Sequence, residues 1–203
     1  LSNYLSNRKY KVLVIDNLER GNKKNLDKKI IFYKSDLRKI SKKTEKIFKN
    51  SDIIIHLASK VGSWQYYENK AYDVCKNNLL IDANVLHLVK KFNKTKYIYA
   101  SSSHVYPAKL QTNKLKIDLK EKDAENSMPL LSYGLAKLVS EKQISFLSKD
   151  IKNSKYVALR FVGIYGLNQN SNLEKGSVIP VLCKKAKFYP KFGYQLLTDG
   201  NEV

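Results

Sequence analysis

Lys96-Tyr97-Ile98-Tyr99-Ala100-Ser101-Ser102-Ser103 reads as a buried strand that delivers hydroxyls at its C-terminal end. In open parallel sheets, ligands bind at that end of the strands. Further along, Tyr133-Gly134-Leu135-Ala136-Lys137 sets a phenol and an ammonium at i and i+4, on one face of a helix. An ammonium held there lowers the phenol's pKa and makes it a usable base near neutral pH. The Tyr-x-x-x-Lys spacing alone says little. It occurs at Tyr66/Lys70, Tyr72/Lys76 and Tyr133/Lys137, and such a pair is ordinarily a solvated helix face. Context separates them: only Tyr133 follows a strand ending in serines and opens a long helical run, Leu131 to Leu147.

Outward from this stretch, apolar runs bounded by polar residues predict further buried strands at Tyr10–Asp16, Ile30–Tyr33, Asp52–Ala58 and Tyr156–Phe161. Segments of helical period lie between them, at roughly 40–49, 75–92 and 131–148. This alternation predicts an α/β fold, a doubly wound, Rossmann-like parallel sheet covered on both faces. The polar stretch from about 108 to 130 is expected to be a loop.

Asp16 closes the first of these strands. A carboxylate in that place accepts hydrogen bonds from the adenosine ribose hydroxyls and favours NAD over NADP, since it repels a 2′-phosphate. The other reading is an ordinary turn aspartate in Asp16-Asn17-Leu18-Glu19-Arg20-Gly21. A glycine-rich phosphate loop belongs about 20 residues earlier, yet none of the fifteen residues before Asp16 is glycine. Leu1 to Arg8 reads as the tail of a helix that follows such a loop. The expectation is a fragment, incomplete at its N-terminus and stopping in what reads as the middle of a hairpin at Thr198–Val203. Loss of the central strand of the order 3-2-1-4-5-6 leaves two unpaired edges inside the sheet. Loss of the loop leaves no cradle for a pyrophosphate, so residues 1–203 alone are expected to have negligible NAD affinity.

The chain has 203 residues, 43% of them hydrophobic, enough for a domain with a core. No apolar run is long enough to span a bilayer and no signal peptide is visible, so no membrane partner is expected. Cys75 and Cys183 make no disulfide framework; they fit a reducing cytoplasm, as small apolar fillers. The net charge of +20 suits a nucleic-acid surface. Against that, the lysines are scattered along the chain, without interleaved aromatics on a nucleic-acid module. The reading favoured is charge spread over solvated faces, with no nucleic-acid partner. A positive field of this kind attracts an anionic diphosphate ligand.

Seven segments in order resemble the NAD-dependent epimerase/dehydratase family of extended short-chain dehydrogenase/reductases, which act on nucleotide sugars. They are Val14-Ile15-Asp16-Asn17-Leu18 with Gly21 and Asn25-Leu26, Ser35-Asp36-Leu37, His56-Leu57-Ala58, Asn78 with Asn84-Val85-Leu86, Ser101 to Tyr106, Tyr133 to Lys137, and Arg160 to Gly166. Val105-Tyr106-Pro107, Gln111 and Val178-Ile179-Pro180 resemble the branch of GDP-mannose 3,5-epimerase and GDP-fucose synthase.

The resemblance implies a first domain over 1–166 that binds NAD and the start of a substrate-binding region over 167–203. It implies cofactor contacts from Asp16, Asn17, Asp36, Leu37, Leu57, Ala58, Asn78, Tyr133 and Lys137, and a nucleotide-sugar substrate, GDP- or UDP-linked, met by Ser102, Ser103, His104, Gly163, Lys175 and Ser177. Tyr133 takes a proton from a sugar hydroxyl at C4, Lys137 keeps the phenol acidic, and Ser102 steadies the emerging ketone. His104 stands where that branch carries its cysteine two positions after the serine, and is either a second acid/base or a positioning or packed histidine. The branch's second acid/base position, before Val178-Ile179-Pro180, holds Ser177, with Lys175 two residues earlier. The dehydratases carry an Asp-Glu pair where this chain has Ser103-His104, which argues against dehydration. The family implies a homodimer for the full-length protein. A nucleotide-sugar reductase or dehydratase, or a non-catalytic, RNA-binding member of the fold, is the alternative. His56 reads as structural; Trp64, Tyr66 and Tyr67 read as pocket walls or as surface packing.

Overall fold

The computed structural model describes residues 1–111, 118–169, 171, 178–188 and 191. Its elements run α1 (Ser2–Asn7), β1 (Leu13–Asp16), β2 (Ile31–Lys34), α2 (Lys42–Lys49), β3 (Ile54–His56), α3 (Trp64–Asn69), α4 (Ala71–Lys91), β4 (Lys96–Ser102), α5 (Ala108–Gln111), α6 (Ser132–Asp150), β5 (Lys155–Phe161) and α7 (Val178–Lys187).

Strands and helices alternate, and the pairing is parallel as the sequence predicts. Leu13 faces Ile31 and Asp16 faces Lys34; Ile54 faces Tyr97 and His56 faces Tyr99. Among the described strands there are two sheets, β1-β2 and β3-β4-β5. In these orders β1 and β3 each stand at a sheet edge.

Contacts divide the chain into two compact units. One comprises residues 1–59, 79–100 and 140–158; the other comprises 60–78, 101–139 and 159–203. The first unit is built on the apolar stripe of α4, where Ile81, Val85, Leu88 and Val89 are buried. That stripe packs with Phe48, Ile54, Tyr97, Tyr99, Ile144 and Leu147. Burial of side chains of this size is worth about 1.5–3 kcal/mol each, and it holds together strands of only three to seven residues.

Local chemistry sets the element ends. Ser41 caps α2 by accepting from the Thr44 amide at 3.1 Å. After both long helices an asparagine takes a positive φ, Asn93 at 48° and Asn153 at 59°. The turn after α4 then closes through the Lys94 amide on the Val89 carbonyl at 2.9 Å.

In the second unit, Tyr67, Val74, Leu131 and Tyr133 form one apolar cluster, and Val105, Tyr106, Ala124 and Leu138 another. The stretch expected as a loop from 108 to 130 holds α5 and a 3-10 turn at Glu121–Ala124, before which the Lys120 amide donates to the Asp123 carboxylate at 2.8 Å. Of the two cysteines, Cys75 is half-buried and its thiol is pushed up by that burial, while Cys183 is exposed and fills no core. None of the described helices is long and apolar enough to cross a membrane.

Candidate active site

Strand β4 ends on Ser101 and Ser102, both buried. Ser102 caps the 3-10 turn Ser103–Val105, its Oγ accepting from the His104 amide at 3.2 Å. As acceptor in that bond, Ser102 keeps its own proton for donation.

Tyr133 is the second residue of α6 and is 9% exposed; Lys137, one turn on, is 1% exposed. A buried ammonium is costly unless its surroundings compensate it. One such contact is the Tyr133 ring, whose centroid lies 5.7 Å from Lys137 Nζ. The pair is therefore not a solvated helix face. The Tyr72/Lys76 pair has a similar 5.6 Å separation, but Tyr72 is 74% exposed.

The ring of Tyr67 stacks on that of Tyr133, centroids 4.9 Å apart and planes 9° from parallel. His104 stands edge-on to both, at 6.0 Å from Tyr133 and 6.4 Å from Tyr67. Gly134 lets α6 come against this turn, since a Cβ there would lie 2.0 Å from the His104 carbonyl oxygen. Ser102, Ser103, His104, Tyr133 and Lys137 all belong to the second unit.

Asn78 lies in the same unit, buried, and its amide clasps the backbone of Lys60. Oδ1 accepts from the Lys60 amide at 2.7 Å and Nδ2 donates to the Lys60 carbonyl at 3.1 Å. The site following β3 is thereby pinned to α4. Gly163 is exposed, with φ +51° and nothing within 4 Å of a would-be Cβ. Lys175 and Ser177 lie outside the described residues, as does the Gln111 side chain.

The first unit carries the remaining expected residues. Asp16 ends β1; its Oδ1 accepts from the Leu18 amide at 2.6 Å, and Leu18 takes φ 61°. A Cβ at position 21 would sit 3.2 Å from both Asp16 carboxylate oxygens, so glycine there keeps that carboxylate open. Asn17 Oδ1 accepts from the Glu19 amide at 2.9 Å. Asn17, Glu19, Lys34, Ser35, Asp36 and Arg38 line one groove. Asp36 is paired with Arg38, whose hydrogen bonds hold the Asp36 carboxyl down at about 2. Leu37 is core, Leu57 is exposed, and Ala58 packs partly buried against the core. These donors and acceptors at the C-terminal end of a parallel pair fit an adenosine ribose.

Sequence reasoning missed a buried polar knot in this unit. Asp82 of α4 accepts from Tyr99 Oη at 2.6 Å and Ser140 Oγ at 2.7 Å, and its other oxygen meets His56 Nε2 at 2.7 Å. All four residues are buried. His56 is structural, as expected; its partner was detectable only as an acid set among the apolar residues Ile81, Val85 and Val89 of one helix stripe.

The model of the NAD dependent epimerase/dehydratase family matches residues 1–202. A putative UDP-glucose 4-epimerase of Methanocaldococcus jannaschii is 31% identical over 194 residues, 96% of this chain and 60% of that protein. The GDP-mannose 3,5-epimerase of Arabidopsis thaliana is 29% identical over 156 residues, 77% of this chain and 41% of that protein. Among solved structures, the UDP-N-acetylglucosamine 4-epimerase of Methanobrevibacter ruminantium M1, in complex with UDP-N-acetylmuramic acid, superposes with a TM-score of 0.72. It is 28% identical, covering 87% of this chain and 55% of that one. The chain thus spans about 60% or less of the length of these relatives.

Proposed function

The chain belongs to the NAD dependent epimerase/dehydratase family, and from that premise we propose that the whole protein epimerises a nucleotide sugar by transient oxidation at C4, with Ser102, Tyr133 and Lys137 as its catalytic residues. The observation that carries this is the buried Tyr133/Lys137 pair one turn into α6, in the same unit as the Ser102 hydroxyl.

Tyr133, as phenolate, takes the proton from the C4 hydroxyl. Lys137 favours that phenolate by its charge. Ser102 donates its remaining proton to the same sugar oxygen, which steadies the ketone as it forms. On the return, Tyr133 gives the proton back to the new hydroxyl, so the chain's own groups end unchanged. His104 is positioned beside the Tyr133 ring and is the second acid/base candidate, for inversion next to the ketone. Gly163, Lys175, Ser177 and Ser103 complete the substrate side of this reading.

NAD, when bound, supplies the reversible two-electron oxidation. Asp16, opened by Gly21, and Asn17, Asp36, Leu37, Leu57, Ala58 and Asn78 would hold it, with Tyr133 and Lys137 at the reacting end. Residues 1–166 form the cofactor-binding domain in this reading, and 167–203 begin the substrate region. A GDP- or UDP-sugar is the substrate class; the relatives named above are enzymes of both kinds by name. We place the reaction in the cytoplasm, where the thiols of Cys75 and Cys183 stay reduced. A homodimer through the long helices is proposed for the whole protein. The groove lined by Leu86, His87, Lys90, Gln143 and Phe146 on α4 and α6, with Phe146 66% exposed, supports it.

The test is product analysis. The whole protein is incubated with NAD and, separately, UDP-glucose, UDP-N-acetylglucosamine and GDP-mannose, and the sugar is read by proton NMR. Conversion of at least one to its C4 epimer supports the reading. Inversion at C3 or C5 alone, loss of water, or net reduction would replace it.

A further inference from the structure

The loop and short helix before α4 put one particular ring against Tyr133. Ser63 accepts from the Tyr66 amide at 3.3 Å and starts α3. Gly62 allows that start, since a Cβ there would lie 2.2 Å from the Tyr66 ring. The helix then presents Tyr67, 7% exposed, to Tyr133 in a parallel stack, the two rings sharing a cluster with Val74 and Leu131.

Near-parallel rings with centroids 4.9 Å apart form an offset stack, one of the arrangements that ring quadrupoles favour. His104 supplies the edge contacts, at interplanar angles of 79° to Tyr133 and 74° to Tyr67. Trp64, three residues before Tyr67, sits 6.4 Å from His104.

A phenol that exchanges a proton must keep its oxygen at one point. Swinging the ring about its first side-chain torsion moves that oxygen by ångströms, and a misplacement of about 1 Å costs on the order of a hundredfold in rate. A ring lying flat on one face of Tyr133, with an imidazole edge against it, blocks that swing.

We propose that Tyr67 is a positioning residue for Tyr133, its ring clamping the phenol so that proton exchange with the sugar hydroxyl occurs from one fixed geometry. This rests on the reading of Tyr133 as the base. It assigns Tyr67 to the rate of the chemical step, and its ring, not its hydroxyl, as the part that acts.

The whole protein, with whichever of the three nucleotide sugars it turns over, is compared with Tyr67→Phe, Tyr67→Leu and Tyr133→Phe. Tyr67→Phe keeps the ring and is expected to retain most of the turnover. Tyr67→Leu is expected to lose roughly ten- to hundredfold in kcat with KM changed by less than about threefold, the signature of a group felt in the chemical step. A second readout needs no turnover. In protein labelled with 13C at the tyrosine rings, the Tyr133 signal, assigned by its loss in Tyr133→Phe, should carry a ring-current shift kept in Tyr67→Phe and lost in Tyr67→Leu.

Full kcat in Tyr67→Leu overturns the proposal. So does a rise in KM alone, which would make Tyr67 a wall of the sugar pocket, or a Tyr67→Phe as impaired as Tyr67→Leu. Should Tyr67→Leu fail to fold, the label decides in the unmutated protein: absence of a ring-current shift on Tyr133 overturns the clamp, and its presence upholds it. Turnover surviving in Tyr133→Phe refutes the reading of the base itself. Turnover lost there and kept in Tyr67→Leu refutes only the role of Tyr67.

Discussion

The carbonyl oxygen of His104 occupies the space where a side chain on residue 134 would begin, 2.0 Å from an ideal Cβ at Gly134. Backbone blocks that position, not a flexible side-chain end, so nothing cheap can move aside. Gly134 is thus what allows the first turn of α6, with Tyr133 in it, to come against the turn after β4. Gly134→Ala is expected to destabilise the protein by about 2 kcal/mol and to lower turnover beyond what the lost folding explains. Urea denaturation and kcat on the same preparations measure this; a neutral Gly134→Ala would mean that the two segments do not meet as described.

Asp82 holds β3, β4 and α6 through His56, Tyr99 and Ser140. The burial of Tyr99, together with the Asp82 charge, pushes its phenol far above the ordinary range, so it remains a donor to that carboxylate. Asp82→Ala leaves three buried polar groups without their acceptor and is expected to cost about 3 kcal/mol or more. A loss under about 1 kcal/mol in urea denaturation would show that the knot contributes little.

Tyr97 makes the opposite case. It is fully buried, and its hydroxyl has no hydrogen-bond partner among the described residues. Removing an unsatisfied buried polar atom while keeping the ring relieves a desolvation cost, so Tyr97→Phe is expected to stabilise by about 1 kcal/mol. Destabilisation by that mutation would reveal a partner for the hydroxyl.

The Asp36/Arg38 pair sets a pH dependence. Arg38 holds the Asp36 carboxyl at about 2, below the ordinary 3.8. A depressed carboxylate pKa contributes stability that is present in full above the ordinary value and is lost as pH falls from about 3.8 through about 2. The groups are partly exposed, so the contribution is small and screened by salt. Arg38→Gln is expected to return the Asp36 midpoint toward 3.8 in a carboxyl NMR titration; an unmoved midpoint would assign the shift to another cause.

Much of this was legible before any coordinates. The strand that ends in Ser101-Ser102 and the Tyr133/Lys137 helix carry strong short-range patterns, a buried apolar run and a helical period, and both elements formed where expected. Strand β1 begins at Leu13 instead of Tyr10, because Tyr10 and Lys11 are exposed and make no ladder. Helix α3 escaped notice because six residues are too few to show a period. Helix α7 was read only as a Val178-Ile179-Pro180 motif; its proline sits in the first turn, where a missing amide costs no helical hydrogen bond. The Asp82 knot joins residues 17 to 58 positions apart, and the Tyr67 stack joins two residues 66 apart. No local period encodes such meetings.

The most direct test of the account is the rate of sugar turnover by the whole protein carrying Tyr133→Phe, with NAD and the substrate on which the unmutated protein acts. Phenylalanine keeps the ring stack and removes only the oxygen that exchanges the proton. The account predicts a loss of roughly a thousandfold or more, within the range that positioned acid–base groups supply together with their geometry. Turnover within about threefold of the unmutated protein would contradict it.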